Sequence, residues 1–243
     1  MEEEKLKEEV AKEHKITVRS EIIYFLAIIF LSFAVAVLTE ADLGISMIVA
    51  PAYLLSAKTQ VLSFGQAEYV IQAVLFIIFC LVMRKFKLVY LSSFLTCLIY
   101  GAVLDLWRLI PAFNPAVTPP QSIELWLRIV MFVCGAVITS FSVALFFKTY
   151  FYPQVYDFFV KGVSAKFKIN RALFKTIFDL SCLALALIFT FAFFGGIRGI
   201  GWGTAIMALF NGSLIGLFGK LIDRFFVVKP FFPEFAKRFD LEN

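Results

Sequence analysis

Ile45-Ser-Met-Ile-Val-Ala-Pro-Ala-Tyr-Leu-Leu-Ser-Ala57 is apolar enough for a membrane and too short to cross one. At ~1.5 Å per residue a helix of this length reaches ~20 Å, against a hydrocarbon core of ~30 Å. The segment is therefore expected to enter and leave by one face, and that expectation decides how many times the chain crosses. Pro51 adds to it, because proline removes a backbone donor and clashes with the preceding turn.

The rest of the chain supports a membrane setting. Of 243 residues 61% are apolar and 17% charged, where soluble domains carry about 25% charged residues. The net charge of +5 is gathered in a few loops, which suits anionic lipid headgroups. No basic patch carries the base-stacking aromatics of a nucleic-acid binder. Cys80, Cys97, Cys134 and Cys182 fall in apolar runs without a C-x-x-C pair, and the one histidine is His14, so neither a metal site nor a cofactor is expected. Hydrolase, zinc-protease, P-loop and dinucleotide signatures are missing, and no catalytic residue is assigned. Ala34-Val-Ala36 resembles a signal-peptidase site, but a long acidic leader and an apolar run reaching Leu38 favour a spanning helix.

In order, residues 1–21 read as a charged cytoplasmic segment, with a short surface helix around Leu6 and Val10. Residues 22–110 form a first membrane repeat: Ile22–Leu38, the short segment, a helix from about Glu68 to Val82, and Leu88–Ile110. Residues 111–121 are a proline-rich external linker expected to be non-helical. Residues 122–226 form a second repeat: Ile123–Phe147, a short segment Tyr152–Gly162 with Pro153 near its start, Ala172–Phe194 and Thr204–Phe226. Residues 227–243 read as an aromatic, basic interfacial tail on the cytoplasmic side. Near the end of each half stands the same pattern, Tyr100-Gly-Ala-Val-Leu-Asp105 and Phe218-Gly-Lys-Leu-Ile-Asp223.

The fold expected is an all-α polytopic membrane protein with six spanning helices, two short re-entrant or broken helices and an inverted 3+3 repeat. If both short segments span, eight crossings in a parallel 4+4 repeat result. With the N-terminus inside, Lys plus Arg divide 19 inside to 4 outside for six crossings and 18 to 5 for eight, so length has to decide. Both termini are expected in the cytoplasm.

Ionisable groups inside a membrane are the first candidates for function, since each costs at least ~2.5–3.5 kcal/mol at the bilayer centre. Asp179 lies about two turns into its helix with Lys175 one turn before it; the pair reads either as an ion- or proton-coupling site or as a lock on helix packing. Glu68 and Gln72 share that spacing in the first half and, with Gln66, face a polar ligand, although Glu68 stands near enough to the helix start to be solvated. Tyr53, beside Ser46 and Ser56, lines the first short segment. Tyr156, beside Tyr152, Gln154 and Asp157, lines the second. Backbone left unpaired at membrane depth is tolerated only against protein or a watery cavity. Asn211 is a mid-helix amide in need of a partner. Gly212-Ser-Leu-Ile-Gly216 reads as a helix-packing face.

Leu43-Gly-Ile-Ser46 with Pro51, Ser63-Phe-Gly-Gln66, Tyr100-Gly-Ala-Val-Leu-Asp105 and Gly201-Trp-Gly-Thr204 with Gly212 resemble the YczE/YyaS/YitT family of bacterial membrane proteins. The likeness is to the YczE branch, because no counterpart of the soluble YitT domain follows Phe226. It implies a bacterial plasma-membrane protein often taken for a transporter, with no defined substrate and no catalytic residue to carry over.

Together these readings favour a secondary transporter of a small polar or organic solute, whose substrate residues would be Tyr53, Gln66, Gln72, Tyr156, Asp179 and Asn211. The alternatives are a binding subunit energised by a separate ATPase complex and a non-transporting scaffold. Membrane lipids, the solute and a homo-oligomer are the partners considered.

Overall fold

The structure, a computed structural model, describes residues 15–84 and 86–239. Six helices are long and apolar enough to cross a membrane: α1 (Ser20–Ala41), α3 (Phe64–Met83), α4 (Leu91–Trp107, led in by a 3-10 turn at Leu88–Tyr90), α5 (Leu125–Phe146), α7 (Arg171–Phe194) and α8 (Trp202–Phe225). Two others fall short of the bilayer. The stretch around Pro51 forms α2 (Ala50–Thr59), and its echo forms α6 (Val155–Phe167). Their 10 and 13 residues give ~15 and ~20 Å against a core of ~30 Å.

Local chemistry sets the helix ends. Ser63 and Gln66 form a reciprocal capping box, with Gln66 N–H donating to Ser63 Oγ and Ser63 N–H to Gln66 Oε1, both at 3.0 Å. This box starts α3 at Phe64, one turn before the expected Glu68, and so draws Glu68 inside the helix. α1 ends at Asp42 in the left-handed region (φ 48). Two residues later Gly44 stands at φ 119, where a Cβ would lie 2.7 Å from Thr204 N; only glycine fits. The start of α8 fastens there: Thr204 Oγ donates to Ile45 O at 2.8 Å and Gly203 N–H to Leu43 O at 2.8 Å.

α1 and α5, the first helices of the two halves, form the central seam of the bundle. The other contacts come in matching sets: α4 packs on α1 as α8 packs on α5, α2 lies on α3 as α6 lies on α7, and each short helix also crosses to the other half, α2 to α7 and α6 to α3. Three long helices per half is an odd number, so with one crossing per long helix the halves run through the membrane in opposite senses. The main departure from this symmetry concerns the last pair. α3 and α4 pack closely, whereas α7 and α8 scarcely meet among the described residues.

Several expectations are corrected. Ile16–Arg19, within the segment read only as a charged lead-in, form a strand, β1, paired in parallel with β2 (Phe226–Lys229); the surface helix expected around Leu6 and Val10 lies outside the described residues. Glu21 completes this junction, its carboxylate accepting Phe231 N–H at 2.9 and 3.0 Å and Tyr150 Oη–H at 2.8 Å. The proline-rich linker is not free of helix, because Pro111 and Pro120 each open a 3-10 turn, a place where the missing N–H costs nothing. In the tail, where α9 (Pro233–Ala236) follows β2, Phe231, Phe232 and Phe235 are exposed. Phe239 instead is buried, and its carbonyl accepts Tyr152 Oη–H at 2.7 Å. A Cβ added at Gly212 or Gly216 would meet nothing within 4 Å among the described residues, so the expected helix-packing face has no neighbour there.

Candidate functional site

The N-terminal turn of α6 inserts between α3 and α7 and meets a polar side chain on each. Toward α3, Gln72 accepts Val155 N–H at 3.1 Å through Oε1. That contact fixes the amide, since a backbone N–H can only donate. The Gln72 Nε2 then spends its two hydrogens on Glu68 Oε2 and Gln154 Oε1, both at 3.0 Å. Tyr156 Oη–H adds a second donor to Glu68 Oε2 at 3.0 Å. Glu68 and Gln72 are both 0% exposed, so every polar atom here depends on protein for a partner.

Two atoms have none. Glu68 Oε1 and Gln154 Nε2 are buried without a hydrogen bond among the described residues. Because the Gln72 orientation is set by Val155, that of Gln154 follows, and the unpaired atoms are a carboxylate oxygen and an amide nitrogen.

Toward α7, Lys175 Nζ lies 2.9 Å from Asp179 and 3.7 Å from Asp157 of α6. Counting from the helix-starting residues Ser63 and Asn170, whose Oδ1 accepts Leu173 N–H at 3.1 Å, Lys175 and Asp179 are the counterparts of Glu68 and Gln72. The side chains of Lys175 and Asp179 are 34% and 21% exposed, against full burial on the α3 side. The polar residues are thus fully buried on the α3 flank and partly exposed on the α7 flank.

The remaining sequence candidates lie elsewhere. Gln66 is exposed and serves the α3 cap. Tyr53 packs edge-on against Phe64, 5.6 Å between centroids. Asn211 accepts Ser140 Oγ–H at 2.7 Å, joining α8 to α5. Of the residues named from sequence, Gln72 and Tyr156 share the network around Glu68 on the α3 flank, and Lys175 and Asp179 form a second cluster with Asp157 on the α7 flank. Glu68 belongs to the first of these, contrary to its reading as solvated, because the capping box lengthens α3. Gln154, read only as lining, proves central; its position just after Pro153 at the head of a short helix was the available signal.

A second unpaired carboxyl sits at the other end of α1. Glu40 is 0% exposed and neither oxygen has a hydrogen-bond partner among the described residues. Next to it Arg128 of α5 donates to the Ala41 and Asp42 carbonyls at 2.8 and 2.9 Å, closing the end of α1. Burial pushes the Asp42 carboxyl up, against the pull of the Arg128 and Arg198 guanidiniums.

The two helix seams differ in how they close. At the start of α3, Asp105 of α4 accepts Gly65 N–H at 2.9 Å and the Ser63 hydroxyl. A Cβ on Gly65 would strike the Gly101 carbonyl, so the two backbones touch. Asp223, the counterpart of Asp105 on α8, pairs instead with Lys148, just past the end of α5, at 2.6 Å and stays 61% exposed.

A model of a family of unknown function, DUF6198, matches residues 18–220. The chain belongs to that family. The matched stretch holds both short helices and all the residues of the polar site. The chain matches none of the curated proteins and none of the solved structures with which it was compared.

Proposed function

We propose that this DUF6198 member is a secondary transporter of a small polar or organic solute. Its site would lie at the α6 N-terminus between Glu68–Gln72 and Lys175–Asp179, with both short helices entering and leaving by one face. The observation that carries the reading is the unequal closure of two like halves. An inverted repeat whose α3–α4 seam is sealed by Asp105, while the equivalent α7–α8 seam stands apart, fits one of two exchangeable states. In the other state α8 would dock on α7 with Asp223 at the head of that helix, and α4 would part from α3. With the termini in the cytoplasm, the closed seam faces outward and the open one inward. The resemblance to the YczE branch agrees with this reading, and exposed apolar helix faces suit contact with lipid.

Cysteines at Ala172 and Gly219, the counterparts of Gly65 and Gly101, test it in a background lacking the four native cysteines. The expected result is oxidative cross-linking whose yield rises with Lys148→Ala, which frees Asp223. No cross-link under any condition, in protein shown to be folded, would remove the main support. Solute uptake by the protein alone in vesicles would eliminate the ATPase-dependent binding subunit.

A further inference from the structure

We infer that the open groove between the end of α6 and the start of α7 binds an anionic phospholipid, its phosphate held by the Lys161 and Lys168 ammoniums and an acyl chain laid along the apolar face of α7. The inference is independent of the transport reading.

The groove measures about 490 Å³ and is lined by Lys161, Ser164, Ala165, Lys168, Ile169 and Asn170. That volume lies within the ~300–1,000 Å³ of small-molecule sites. Lys161, Lys168 and Asn170 are exposed, so a ligand has access. The walls are set by the chain itself. α6 ends at Lys168 in the left-handed region (φ 53), where Lys168 N–H donates to Ala165 O at 3.3 Å and Ile169 N–H to Ser164 O at 3.0 Å. The Ser164 hydroxyl donates to Lys161 O at 3.1 Å, and Lys166 Nζ to Val82 O at 2.6 Å, which ties the end of α6 to the end of α3.

Charge selects an anion. From Phe158 to Phe178 the chain carries five lysines and arginines and no aspartate or glutamate. The acids that flank this stretch, Asp157 and Asp179, are engaged by Lys175. A basic rim free of acids concentrates negative charge.

The surroundings select a lipid over a soluble anion. Asn170 Oδ1 accepts Leu173 N–H at 3.1 Å, so α7 leaves directly from the groove. Leu173, Ile177 and Leu180 are exposed and stand four and three residues apart, on one helix face. They cover ~10 Å, within one leaflet's share of the ~30 Å core. Ile169, also exposed, joins this stripe to the groove. A free anion would use the lysines alone, whereas a phospholipid uses the lysines and the stripe together. With six crossings and cytoplasmic termini the groove opens on the inner leaflet, whose anionic lipids attract each lysine near the surface.

The test uses delipidated full-length protein in a non-ionic detergent, with bound lipid counted by native mass spectrometry and affinity followed by thermal stabilisation. Dioleoylphosphatidylglycerol is compared with dioleoylphosphatidylcholine, which has the same chains and no net charge, and with glycerol 3-phosphate, which has the anion and no chains. Saturable binding of the phosphatidylglycerol is expected, at least about tenfold tighter than either. The double variant Lys161→Gln/Lys168→Gln should bring the two lipids within about threefold of each other. Lys229→Gln/Lys237→Gln, which removes as many cations from the tail, should keep the preference. Gel filtration checks both pairs, and Lys168→Gln alone, with an expected loss of about threefold or more, replaces the groove pair if that pair does not fold. Equal binding of the two lipids, or no saturable binding, would overturn the inference. So would a preference that survives the groove variant or falls equally in the tail variant, which would mean diffuse charge. Glycerol 3-phosphate binding as tightly as the lipid would overturn it in favour of a soluble anion.

Discussion

Gln72 is the keystone of the polar site because it meets three different partners and leaves none of its own hydrogens unused. Gln72→Leu would strand the Val155 N–H and the Gln154 carbonyl in a dry interior. Each stranded group costs about 1–3 kcal/mol, so a loss of about 3 kcal/mol or more is expected in thermal or denaturant unfolding in detergent. Glu40 predicts the opposite sign. Its carboxyl is buried without a hydrogen bond, so Glu40→Met should raise stability by about 1 kcal/mol or more. A loss of stability there would mean that the carboxyl is held by a partner. The Lys175–Asp179 pair was readable from its four-residue spacing on one helix face. Glu68 was not, because its burial depends on a helix start one turn earlier and on α6, some eighty residues further along, covering it.

At the level of helices, glycines at a close backbone contact and glycines with no neighbour should respond differently to substitution. Gly65→Ala forces a methyl into the Gly101 carbonyl and is expected to destabilise by about 2–3 kcal/mol. Gly212→Ala and Gly216→Ala meet no atoms within 4 Å, so changes within about 1 kcal/mol, toward greater stability, are expected. A large loss at Gly212 or Gly216 would point to a partner surface on α8. Arg128→Ala strips the end of α1 of two charge-assisted bonds and should cost about 2 kcal/mol, read from the same unfolding curves. The motif ending in Asp105 and Asp223 revealed the repeat, yet not which copy would be closed. Both sequences offer the aspartate a cationic or backbone partner, and the choice belongs to tertiary packing.

For the molecule as a whole, apolar run lengths foretold six spanning helices and two short ones, and the parity of the long helices carried the inversion. The β1–β2 pair had no such pattern, since four residues at each end acquire meaning only when brought together. It fixes both ends of the bundle on one face and so demands an even number of crossings. Protease sites appended at either end should be cut from the same side of sealed vesicles, and cutting from opposite sides would sink the six-crossing topology. The central α1–α5 seam accounts for the uneven burial: 61% of the most apolar window of α1 is buried, against 11% for both α7 and α8.

That same strand pair governs how the protein is made. β1 leaves the ribosome before any helix is inserted, and the residues it bonds, Phe226–Lys229, follow some two hundred positions later. The partner of Glu21 at Phe231 emerges later still. β1 therefore cannot reach its native bonds until Phe226–Lys229 has been translated, and the long helices between the two strands are synthesised while β1 is unpaired.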